Sequence, residues 1–222
     1  MLLRDSGLTT LFFFIRQTHW KEDMNGDTDI KAFTLRDVAI NITFLIIIAA
    51  CFEFVPSGWL ERFSAGASSK ALRILGFSSS WGVQGDEAYL SMIGGVRDVS
   101  VTIIRECTGI HVFAIFAGLV LPVKGGLWLR KALSLAVAGL FLLVLNVSRV
   151  MLTVLLTAYD VPPFVWIFTN PTVETYHYPL SFLYGLLGVA ILVVVISRWT
   201  LPELGDTLTG IVRVLKPSNM FG

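Results

Sequence analysis

Of the chain's 222 residues, 55% are hydrophobic and only 15% charged, and the mean hydropathy is +0.73; a soluble domain carries nearer a quarter charged residues, so the composition is that of a membrane protein. The 17 Lys and Arg against 16 Asp and Glu leave a net charge of +1 with no basic run that could track a phosphate backbone, which excludes nucleic acid as a partner. The two cysteines, Cys51 and Cys107, stand far apart in unlike surroundings and exclude a disulfide framework or a cysteine-rich zinc site.

In chain order, the apolar run 8–15 is too short to cross a bilayer. With Arg16 behind it and no small-residue cleavage site, it reads as an interfacial segment. Four later runs, 38–54, 107–123, 132–159 and 179–197, have the length that a hydrocarbon core of about 30 Å requires of a helix rising about 1.5 Å per residue. Between the first two, 69–77 mixes Ala71, Leu72, Ile74 and Leu75 with Lys70 and Arg73 and predicts a short amphipathic interfacial helix. Residues 89–92, the Gly94-Gly95 turn and the β-branched run 99–104 predict a hairpin leading into the second span. The expected architecture is an all-α integral membrane protein with about four transmembrane helices, interfacial helices and a short outer-face hairpin. With no repeat or linker, one domain over 1–222 is expected, with terminal segments 1–37 and 198–222.

Positive charge sets the expected orientation. Segments 1–37, 124–131 and 198–222 together hold eleven Lys and Arg, the segment 55–106 holds five, and the loop 160–178 none. The positive-inside rule then places both termini in the cytoplasm of a multi-pass cell-membrane protein.

On that orientation three polar residues reach one outer level. Cys107 opens the second span within Glu106-Cys107-Thr108-Gly109; Arg149 lies 17 residues beyond Ala132, roughly 26 Å along a helix; His177 precedes Pro179, which suits the first turn of the fourth helix. Ionisable residues are costly in a bilayer, so each is a functional candidate. A thiolate at a helix start beside a guanidinium could attack a peptide carbonyl. Amides at Thr108 and Gly109, and Arg149, could face the oxyanion, and His177 could protonate the leaving amine.

Every one of these residues has a structural reading as well. Cys107 could be a small apolar residue at a helix start, Arg149 could snorkel outward or pair with Glu106, and His177 could be a solvated loop residue between Tyr176 and Tyr178. Asn146, three residues before Arg149, could orient the guanidinium or bind helices together. Cys51 reads as packing and His19 suggests nothing. His111, four residues after Cys107 on one helix face, could be a base or a supporting partner. With Cys107, His177 and Glu106 or Glu174, it could also form a metal site. No H-E-x-x-H signature is present, so neither metal nor cofactor is expected.

Cys107-Thr108-Gly109 at the start of one span, Asn146-Val147-Ser148-Arg149 late in the next and His177 before the last resemble the C-x-G, N-x-x-R and His elements of the exosortase/archaeosortase family. The stretch 71–76, the glycine turn and the strand running into the cysteine are also similar, so the resemblance covers roughly 71–197. It implies a membrane-embedded cysteine transpeptidase with Cys107 as nucleophile, Arg149 as the arginine and His177 as the third member. It further implies secreted substrates that end in a short motif, a transmembrane helix and a basic tail. These are cut at the outer face and passed to a lipid or other surface acceptor. His111 has no counterpart in the family pattern. Two rival readings are an intramembrane cysteine protease that hydrolyses its acyl-enzyme and a non-catalytic transport or scaffold protein.

Overall fold

The computed structural model describes residues 34–168 and 171–215, all within one compact unit, 33–222. The run 8–15 and His19 lie outside the described residues.

Helix α1, Leu35–Glu53, starts at a reciprocal cap: the Thr34 amide donates to Asp37 Oδ2 at 3.0 Å and the Asp37 amide to Thr34 Oγ1 at 3.4 Å. Only Val38 and Asn41 are buried on it, so most of its apolar surface faces outward, as a bilayer-covered helix allows. Cys51, expected to pack inward, is therefore exposed on α1.

Helix α2, Gly58–Ile74, is longer than the interfacial helix expected over 69–77. Its buried face is Ser64, Ala65, Ser68, Ser69 and Leu72, a helical spacing written in small residues, which a search for apolar periodicity passes over. Small side chains let α2 approach closely the long helix and the sheet described next.

The sheet is antiparallel, with strands β1 (Ser78–Gln84), β2 (Glu87–Ile93) and β3 (Val99–Ile103) in that order. Strands β2 and β3 are the expected hairpin; Leu90 faces Val101 across it, and Ala88, Leu90, Met92, Val99 and Ile103 form its buried side. Strand β1 was not expected, because Ser78-Ser79-Ser80 and an exposed Trp81 give no apolar alternation.

A 3₁₀ turn, Arg105–Thr108, follows, and then α3, Ile110–Val120, whose 11 residues rise only about 16 Å. The span expected over 107–123 is therefore a short apolar helix between a turn and Pro122, begun by Gly109 at φ 76°, a left-handed conformation that favours glycine. It packs tightly on α1: a Cβ at Gly118 would lie 2.7 Å from Leu45 Cα.

Helix α4, Trp128–Ala158, and helix α6, Val173–Trp199, flank a one-turn helix α5, Phe164–Ile167; α7, Pro202–Leu215, ends the described chain and makes a helix of the segment expected as a tail. Among the described residues, the helices long and apolar enough to cross a membrane are α1, α4 and α6, with α3 apolar but shorter. Helix α6 starts earlier than the expected run 179–197, because Thr172 and Thr175 form a capping box ahead of Pro179. His177 is therefore a residue of the helix and not of the loop before it. Pro179 sits inside the second turn, where it removes the bond to the Thr175 carbonyl.

Two apolar cores lie along α4. One joins Ala138 and Leu142 to Phe116, Val120, Leu192 and Ile196; the other joins Val150, Val154 and Ala158 to α2, the sheet and Cys107. Asn146 and Arg149 occupy the stretch of α4 between them. Arg97, in the β2–β3 turn, fastens the sheet to this end of α4: its Nε donates to the Thr157 carbonyl at 2.9 Å, and Nη2 donates to Asp160 and to the Pro171 carbonyl.

Candidate active site

The turn that carries Cys107 is held from both sides. Arg105 donates to the carbonyls of Val55 at 3.1 Å and of Phe52 at the end of α1, the latter also accepting from the Val55 amide. Thr108 Oγ1 donates to the Arg105 carbonyl at 2.6 Å and accepts from the Ile110 amide at 3.4 Å. The buried Thr108 hydroxyl is thus a brace of this turn. Cys107 itself is buried, its amide donates to the Ile104 carbonyl at 2.8 Å, and its neighbours in the core are apolar. The helix expected to open at Cys107 opens three residues later, at Ile110, because Gly109 interrupts the chain in the left-handed conformation.

Burial pushes the Cys107 thiol up from its ordinary value; the nearby Arg149 guanidinium opposes that shift and the Glu106 carboxylate adds to it. The guanidinium is fixed by two side chains: Nη1 donates to Ser181 Oγ at 2.7 Å and Nη2 to Asn146 Oδ1 at 3.0 Å. Asn146 then donates from Nδ2 to Ser64 Oγ on α2 at 3.2 Å, so it both orients the arginine and joins two helices. Ser181 in turn meets His177 Nε2 at 3.3 Å. A continuous polar line, Ser64, Asn146, Arg149, Ser181 and His177, therefore crosses α2, α4 and α6 between the two apolar cores. Burial of such groups is tolerated because each satisfies another.

Glu106, Gly109, Asn146, Arg149 and Ser181 also line a cavity of about 80 Å³, whose apolar wall is Val112, Leu142, Leu145 and Tyr184. His111 is turned elsewhere: its Nε2 lies 3.2 Å from Glu53 Oε2 at the end of α1, with both side chains well exposed. Sequence reasoning placed Cys107, Arg149 and His177 at one level but missed Ser181. Its signal was the four-residue spacing from His177, visible only once His177 is read as helical. Among the described residues, no group of three His, Cys, Asp or Glu side chains is placed to hold a metal ion.

The model of the transmembrane exosortase family matches residues 32–171. The chain belongs to this family. The exosortase match includes Cys107, Asn146 and Arg149 and stops before His177 and Ser181, so the last two enter the site on geometry. Exosortases are cysteine transpeptidases of the membrane, which fits the spanning helices and the thiol beside a guanidinium. Comparison with curated proteins and with solved structures gives no match.

Proposed function

We propose that this exosortase cleaves the C-terminal sorting signal of secreted surface proteins through a Cys107 thioester and transfers the new C-terminus to a lipid or other surface acceptor. One observation carries the reading: the guanidinium that acts on the Cys107 sulfur is the one bonded to Ser181, which meets His177. Burial is the larger effect and pushes the Cys107 thiol up from its ordinary value; the neighbouring Arg149 guanidinium opposes it and favours the thiolate. The Cys107 sulfur attacks the scissile carbonyl carbon, and Arg149 stabilises the oxyanion. Collapse breaks the C–N bond, and the leaving amine takes a proton from charged His177. An acceptor nucleophile then attacks the thioester, gives its proton to the neutral ring and releases the thiolate.

The distribution of Lys and Arg supports cytoplasmic termini in the cell membrane. Lys124, Arg130 and Lys131 lie at the start of α4, whereas the sheet is fastened to its other end. Cys107 then works on the extracytoplasmic side, where a secreted substrate anchored by a C-terminal helix and basic tail would present its motif.

The test is product analysis in liposomes that hold the enzyme, a candidate substrate from a neighbouring gene and cell lipids. The expected product has its new C-terminal carbonyl bonded to an acceptor. A free carboxylate carrying oxygen from labelled water would make the protein a hydrolytic protease. No cleavage of any such substrate by folded enzyme would favour a scaffold.

A further inference from the structure

We propose that Ser181 is the positioning residue that holds the His177 ring by Nε2, so that neutral His177 carries its proton on Nδ1 and turns that N–H to the substrate. The inference deepens the transpeptidase reading and rests on it for the word substrate, but the hydrogen-bond logic stands on geometry.

Arg149 Nη1 is only a donor, so Ser181 Oγ accepts from it at 2.7 Å. The Ser181 proton is left for another partner. In a helix a serine or threonine hydroxyl commonly donates back to a carbonyl three or four residues earlier, and Ser148, Thr153 and Thr157 of α4 do this at 2.8, 2.9 and 2.8 Å. Ser181 instead has its Oγ 3.3 Å from the His177 ring, one helical turn before it. A hydroxyl that accepts from a guanidinium is polarised into a better donor. In the proposed arrangement the Ser181 proton therefore goes to Nε2 as the bare nitrogen, and the ring proton sits on Nδ1.

Arg149 also acts on Cys107, so Ser181 links the nucleophile's cation to the imidazole through a single atom. When His177 gains a proton, Nε2–H donates to the second lone pair of Ser181 Oγ, and the ring keeps its place. In both states Nε2 is occupied by the protein and Nδ1–H is free; the charged ring gives its Nδ1 proton to the leaving amine and is left neutral with its proton on Nε2.

The experiment is ¹⁵N NMR of histidine-labelled full-length enzyme in lipid nanodiscs, recorded above the titration of His177, with His177→Gln used to assign its signals among the three histidines. The wild type is expected to show Nδ1 protonated and Nε2 bare. Ser181→Ala is expected to lose that tautomer in favour of Nε2–H and to form acyl-enzyme between about 10-fold and about 10²-fold more slowly. Ser181→Thr, which keeps the hydroxyl, restores both. Protonated Nε2 in the wild type, or an unchanged tautomer in folded Ser181→Ala, would overturn the proposal. A tautomer change in an enzyme that forms no acyl-enzyme with any substrate would uphold the positioning role and defeat the transpeptidase reading instead.

Discussion

Replacing Cys107 with alanine is expected to reduce substrate processing to background, a loss on the order of 10⁴-fold or more, while leaving most of the stability in place. The two effects separate because they depend on different properties of one side chain. Its sulfur is the only protein atom in the proposed reaction that bonds to the substrate, so alanine leaves no second path. Its packing role is modest: Cys107 is one small member of a core that also holds Leu72, Leu90, Met92, Ile103, Val150 and Val154. Loss of one sulfur there is expected to cost about 1 kcal/mol. Intact substrate should accumulate in membranes that contain normal amounts of the variant. Cys51→Ala should change neither quantity, because Cys51 is exposed on α1 and has no part in the polar line. Normal cleavage by Cys107→Ala would end the cysteine mechanism, and loss of the protein itself would mark Cys107 as a packing residue.

Arg149→Lys is expected to lower acyl-enzyme formation by about 10²-fold to about 10³-fold. A guanidinium is planar and directs separate N–H bonds to Ser181 and Asn146 while its charge acts on the Cys107 sulfur. An ammonium is a point charge on a flexible stem, so it satisfies some of these demands at a time. The loss should fall mainly on the rate of acylation and little on the amount of folded protein, since lysine remains a donor to the same acceptors. Arg149→Ala should differ by also destabilising the fold, by about 1–3 kcal/mol, because Asn146 Oδ1 and Ser181 Oγ lose their donor between two apolar cores. The measurements are single-turnover acylation and thermal unfolding in one detergent. Near-normal acylation in Arg149→Lys would reduce Arg149 to a generic charge.

The membrane class, the spanning helices α1, α4 and α6 and the β2–β3 hairpin could be read from the sequence, because each has a strong apolar period or a length set by the bilayer. What could not be read was written in weak signals. Helix α2 buries serines and alanines, so its inner face shows no apolar stripe, although that face receives Asn146 through Ser64. Strand β1 is mostly exposed and pairs through its backbone, to which side-chain patterning is blind. The second span was read as one helix from Cys107 because the apolar run is continuous there; the left-handed backbone of Gly109 instead divides the turn from α3.

Of the site, Cys107, Arg149 and His177 were found by asking which ionisable residues a bilayer would penalise and Asn146 by its three-residue spacing from Arg149, and the structure joins Asn146 and Arg149 directly. Ser181 escaped because Pro179 was taken as the start of the helix. A proline is also tolerated one turn further in, so the spacing between His177 and Ser181 was not seen to be helical. The ambiguity between the two histidines was real at the level of spacing, since His111 is four residues from Cys107. It is tertiary contact that separates them, with His111 drawn to Glu53 and His177 to the Arg149 line.

The most direct measurement is the intact mass of the enzyme after rapid quenching with excess substrate peptide at acidic pH, where a thioester survives. The account predicts a covalent adduct equal in mass to the substrate's N-terminal fragment, lost on treatment with hydroxylamine and mapped by fragmentation to Cys107. An adduct on another residue, or full turnover with no adduct at any quench time and no effect of Cys107→Ala, would contradict it.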